Sequence, residues 1–109
     1  MKSVFTIKLL GDHDAVTIEP YSSVIDKLIT TITSPSVVLL DFSQVPYMNS
    51  TAIGNIAHWY SLFQDKESEV HMIGLNENIY DTLDLVGLLH IIPHHTSLEA
   101  FKAVIAAQS

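Results

Sequence analysis

VVLLDFSQVPYMNSTAIGNIAHWYSLF, residues 37–63, decides the fold. Val37, Val38, Leu39 and Leu40 form a continuous apolar run, which predicts a strand buried on both faces, as in parallel sheets. Asp41 closes the run, and Ser43 and Pro46 break the segment that follows. Asn49, Ser50 and Thr51 are a cluster of good N-cap residues. Beyond them Ile53, Ile56, Ala57, Tyr60 and Phe63 recur at helical spacing. A buried strand, a tight loop and a helix therefore meet at two hydroxyls.

Outward from this stretch, strands and helices alternate. Val4, Phe5, Ile7, Leu9 and Leu10 read as a strand ended by Gly11. Val24, Ile25, Leu28, Ile29 and Ile32 read as a helix, with Ser22 and Ser23 as its caps and the Thr-rich end with Pro35 as its stop. Asp65–Ser68 reads as a solvated turn and Val70–Gly74 as a strand. Asn76 or Asn78 starts a third helix that Gly87 caps. Ile91-Ile92 reads as a short last strand, and Ser97 opens a final helix carrying Leu98, Phe101 and Ile105. Such alternation predicts βα units and a mixed, mostly parallel sheet of four to five strands with about four helices. Ligands of such sheets sit beyond the carboxyl ends of the strands, where the loop from Asp41 to Thr51 lies.

The 109 residues read as one α/β domain over 1–109, with 48% apolar and 16% charged residues. A formal charge of −7 argues against a nucleic-acid partner. There is no cysteine, so disulfides and thiolate metal sites are excluded. Val4–Leu10 after Met1-Lys2 faintly resembles a signal peptide, but Lys8 interrupts it and Gly11-Asp12-His13-Asp14 replaces a cleavage site. No apolar run is long enough to span a bilayer, and a cytoplasmic location without membrane insertion is expected.

Asp41-Phe42-Ser43-Gln44-Val45 followed by Met48-Asn49-Ser50-Thr51-Ala52-Ile53-Gly54 resembles the signature of STAS domains, the anti-sigma factor antagonist family. Gly11-Asp12-His13-Asp14 looks like the family's G-E-L-D turn. Gly74–Ile79 with Leu83 and Gly87-Leu88 looks like its third helix and following glycine. Ser97-Leu98-Glu99-Ala100-Phe101 looks like its closing helix. Family members usually begin with a hairpin, whereas ten residues precede Gly11 here, enough for one strand. The sheet is expected to be one strand shorter, with an edge open to self-association as a homodimer.

The resemblance implies a non-enzymatic signalling module in transcription regulation. In phosphorylatable members an anti-sigma factor that is also a serine/threonine protein kinase modifies a hydroxyl of the S-S pair, and a serine/threonine phosphatase reverses this. By position the acceptor is Thr51, with Ser50 as the alternative. Asn49 stands where the family has Asp, Ala52 where it often has Gly, and Asp14 matches an acidic residue near the acceptor. The expected docking surface is Asp14, Asn49, Ser50, Thr51, Asn55 and His58, with Leu62 further along the same helix face. Read without the resemblance, Ser50 and Thr51 are helix caps. The alternative function is an unphosphorylated scaffold or a subunit of a larger complex, such as a lipid transporter or stress-signalling assembly.

Other chemistries fit less well. A phosphoacceptor at Asp41, with Asp12 and Asp14 as its acidic pair, lacks the Lys that a receiver domain needs after a late strand. His58 lies too far along its helix to act as a base on Ser50 or Thr51. No P-loop or dinucleotide glycine motif occurs, and no cofactor or catalytic residue is expected. His71, His90, His94 and His95 match no metal-ligand spacing and read as loop or surface residues. Trp59 and Tyr60 could form an aromatic platform, but a helix must bury a face, so at least one is expected in the core.

Overall fold

The computed structural model describes residues 3–10, 19–32 and 35–108. The elements run β1 (Ser3–Leu10), α1 (Glu19–Thr31), β2 (Ser36–Gln44), α2 (Ser50–Asp65), β3 (Glu69–Ile73), α3 (Glu77–Leu85), a 3-10 turn (Leu88–His90), β4 (His94–His95) and α4 (Leu98–Gln108). The four strands form one sheet in the order β1-β2-β3-β4, and each neighbouring pair is parallel. The α/β class is as expected; among the described residues the sheet is wholly parallel. β1 lies at one edge of it.

β2 is the centre. Val37, Val38, Leu39 and Leu40 are each at most 1% exposed, and their side chains alternate between two apolar layers, as a period of two requires. Val38, Leu40 and Phe42 join the main core with Ile7 and Leu9 of β1, Ile25 of α1, Ile56, Trp59 and Phe63 of α2, Met72 of β3, and Ile79 and Leu83 of α3. Val37 and Leu39 join a second cluster with Ile73 of β3 and Phe101 of α4. Among the described residues, helices α1, α2 and α3 therefore cover one face, and α4 alone covers part of the other. Each large side chain buried this way contributes about 1.5–3 kcal/mol, which places most of the stability on the three-helix face.

Several local expectations change. The last strand is His94–His95, not Ile91-Ile92. The Ile92 amide donates to the Leu88 carbonyl at 2.9 Å, and Ile92 is fully buried in the main core. Of the Ile pair only Ile92 is buried, in a turn, and Ile91 is 50% exposed, while the register of β3 set the pairing, Met72 with His94 and Ile73 with His95. Ser22 and Ser23 do not cap α1, which begins three residues earlier at Glu19. The turn after α2 is not wholly solvated. Ser68 is buried, and its hydroxyl accepts from the Ser36 amide at 3.1 Å, tying the start of β2 to the turn before β3. Asn76, rather than Asn78, caps α3, and Gly87 follows that helix at φ 84°, the left-handed region that suits glycine. The Ser97 hydroxyl accepts from the Ala100 amide, as a cap for α4. Asp14 and the rest of the Gly11–Asp14 turn lie outside the described residues.

Candidate functional site

The loop between β2 and α2 is held at four places. Asp41 Oδ1 accepts from the Ser43 amide at 2.8 Å, and the Val45 amide donates to the Phe42 carbonyl at 2.9 Å, which turns the chain as it leaves the sheet. Val45 and Met48 are buried in the main core. Asn76 reaches across from the start of α3, where its Nδ2 donates to the carbonyls of Val45 at 3.1 Å and Pro46 at 3.2 Å. The same side chain caps α3 through Oδ1. Gly74, at φ 74°, packs so close to Ser43 that a Cβ there would lie 2.6 Å from the Ser43 amide nitrogen. A loop pinned this way presents the start of α2 on a rigid base.

The start of α2 differs in one respect from the capping expectation. Asn49 is the N-cap: its backbone is extended at φ −93°, ψ 178°, and its Oδ1 accepts from the Ala52 amide at 2.9 Å. The first intrahelical bond runs from the Ile53 amide to the Asn49 carbonyl. Ser50 and Thr51 are thus the first two helical residues and do not cap. Among the described residues neither hydroxyl is engaged, and both residues are exposed. The first turn of α2 holds no acidic side chain, so its own residues leave the positive end of the helix dipole uncompensated.

Asn55, His58 and Leu62 follow Thr51 along α2. His58 is exposed, Asn55 is half-buried and donates to the Thr51 carbonyl, and Leu62 is half-buried against the core. Trp59 is 1% exposed and belongs to the core, with Tyr60 half-buried beside it. The histidines are not all at the surface: His71 is 2% exposed, whereas His90 and His94 are exposed. No group of three or more His, Asp or Glu residues able to hold a metal ion occurs among the described residues. An open cleft of about 170 Å³ lined by Tyr60, Gln64, Glu69, Val70, Ile91 and Pro93 is smaller than the roughly 300–1,000 Å³ of small-molecule sites. No helix among the described residues is long and apolar enough to cross a membrane.

The sequence reading missed Gly74 and Asn76 as parts of this site. Asn76 was legible as a cap, but its second role spans 31 positions. A glycine at the end of a strand was the one signal at position 74, and it does not name the backbone it approaches.

A parallel sheet with a strand–loop–helix corner that exposes two hydroxyls defines a small α/β module. The family model for the STAS domain matches residues 2–101, and the chain belongs to the STAS domain family. No curated protein sequence matches the chain. Among solved structures, the fold is shared with the anti-sigma factor antagonist SpoIIAA in its unphosphorylated form, at 14% identity and a TM-score of 0.73, over 100% of this chain and 93% of that one. It is shared with the SulP transporter STAS domain from Vibrio cholerae, at 15% identity and a TM-score of 0.81, over 98% and 84%. An anti-sigma factor antagonist from Mycobacterium paratuberculosis gives 19% identity and a TM-score of 0.80, over 100% and 89%.

Proposed function

We propose that this chain is an anti-sigma factor antagonist-like module, without catalytic activity of its own, that binds a protein partner and is switched by phosphorylation of Thr51. The partner is an anti-sigma factor with serine/threonine kinase activity, and a serine/threonine phosphatase resets the switch in the cytoplasm. The observation that carries this reading is the cap at Asn49. It satisfies the Ala52 amide and leaves the Thr51 hydroxyl exposed on the first turn of α2. A phosphate at a helix N-terminus meets amide donors and a favourable dipole, so it does not unfold the domain. It does add roughly 1.5–2 negative charges to a chain already at −7. The docking surface is Asn49, Ser50, Thr51, Asn55 and His58, with Asp14 assigned to it by the family resemblance alone.

The test is capture from native cells with wild-type, Thr51→Ala and Thr51→Glu baits, with mass spectrometry of Thr51 and Ser50. Support is capture of a histidine-kinase-like ATPase by the wild-type and Ala baits, its loss with Glu, and phosphate on Thr51. Equal capture by all three baits with unmodified Thr51 overturns the switch. A second reading, a constitutive STAS subunit of a transporter or larger assembly, is favoured by the likeness to the Vibrio cholerae SulP domain and by Asn49 in place of the family's Asp. Under it all three baits retain the same membrane or multi-subunit partner.

A further inference from the structure

The face of the sheet under α4 holds a side-chain cluster that the switch does not use. His71 of β3 is buried, and its ring lies edge to edge with that of His95 of β4, with centroids 5.1 Å apart and planes 19° from parallel. His71 Nδ1 and His95 Nε2 are 2.9 Å apart, and His71 Nε2 is 3.2 Å from Glu69 Oε1. Phe101 of α4 meets both rings edge-on, at 5.3 Å and 5.7 Å between centroids. The backbone pairing of β4 with β3 extends over two residues. The imidazole pair and the ring of Phe101 are therefore a large part of what fastens β4 and α4 to the sheet.

Hydrogen counting dictates how the pair works. An ionised Glu69 only accepts, so His71 Nε2 carries the hydrogen that points at it. In neutral His71 the Nδ1 is then an acceptor, and His95 Nε2 must donate to it. The 2.9 Å gap accommodates one hydrogen. A singly charged pair still shares that one hydrogen, so a second hydrogen in the gap requires both rings to be cationic, and it sets two N–H groups head-on. Among the described residues, the groups around the pair other than Glu69 add little relief. Leu39 of β2, the register partner of His71, is apolar. His94 of β4 turns its ring to Tyr80 of α3, at 5.5 Å. Glu99 and Lys102, the charged residues flanking Phe101 on α4, are exposed.

We propose that His71 and His95 form an acid-sensitive latch. While the two rings share one hydrogen, β4 and α4 stay on the sheet. Protonation of both rings opens that segment and exposes Val37, Leu39 and Ile73, while the three-helix face stays folded. Burial, then the neighbouring His71 and His94, hold His95 below its ordinary value of 6.5. The closed segment thus binds fewer protons than the open one. Opening is suppressed above the ordinary histidine value and promoted as pH falls below it toward the lowered value.

The test is amide exchange by NMR on the whole chain, expressed as protection factors relative to intrinsic rates at about pH 7.5 and about pH 5.5, either side of the ordinary histidine value. The expected result is a fall of about tenfold in the protection of α4 at the lower pH, with α2 unchanged. That is the fall produced when the open segment holds one proton more than the closed one across about one pH unit. His95→Gln, whose amide still donates to His71 Nδ1 but does not titrate, is expected to flatten that fall, and His94→Gln to keep it. Parallel loss of protection in α4 and α2, or an undiminished fall in His95→Gln, overturns the latch. Should His95→Gln fail to fold, the wild-type comparison of α4 with α2 decides alone.

Discussion

The two faces of the sheet are built to different standards. On one, three helices press Ile25, Ile56, Trp59, Phe63, Ile79 and Leu83 onto β1, β2 and β3. On the other, α4 alone contributes Phe101, with Ile105 beside it, to a layer of Val37, Leu39 and Ile73. That second layer does not reach the sheet edge, where Val4 of β1 remains 45% exposed. It also incorporates a polar pair, His71 and His95. The difference shows where the molecule is rigid and where it opens. The corner that presents Thr51 rests on the thick face through Val45 and Met48, whereas α4 rests on Phe101 and Ile105 beside a titratable bond between β3 and β4.

The sharpest way to break the comparison is truncation on each face. Trp59→Ala is expected to cost about 3–5 kcal/mol, read from the urea midpoint, and to lower the stability of the whole domain. Phe101→Ala is expected near the low end, about 3 kcal/mol, because the thin layer can collapse around the gap. Its amide exchange should rise first in α4. Equal global losses for the two variants would erase the distinction between the faces.

The corner gives the next largest effects. Gly74→Ala would press a Cβ on the Ser43 backbone at a positive φ, and a loss of at least about 1 kcal/mol is expected from chemical denaturation. Asn49→Ala removes the α2 cap and is expected to cost about 1 kcal/mol, with Asn49→Asp restoring it and adding the favourable helix-end charge. Thermal melts of the three proteins check this. The pH dependence sharpens the other side. His95 has a lowered value in the folded protein, so its unfolded form binds more protons as pH falls below 6.5. Stability should drop across that window in the wild type and less in His95→Gln. The smallest change is expected at Leu85, which is 88% exposed: Leu85→Ser should stay within about 0.5 kcal/mol.

How much of this was legible varied with range. The unbroken Val37–Leu40 run announced a two-faced strand, and it is one. The helical spacing from Ile53 to Phe63 announced α2, and Asn76 and Ser97 announced the starts of α3 and α4. The site was legible as a place, because a buried strand leading to Asn49-Ser50-Thr51 leaves few alternatives. Its internal division of labour was not. All three residues are good caps in isolation, and the extended backbone at Asn49 decided which one served. Likewise Ile91-Ile92 met every local criterion for a short strand, yet β3 had its edge filled by His94 and His95.

By itself, the sequence determined the elements and the central position of β2, because side-chain period, capping residues and glycine conformations act within a few residues of one another. Tertiary structure alone decided the pairing of His71 with His95, 24 positions apart, and the clasp from Asn76 to the β2–α2 loop. It also decided that Gly74 lies against Ser43. Those contacts depend on strand order and register, which emerge only when two apolar faces of one sheet must be covered at once.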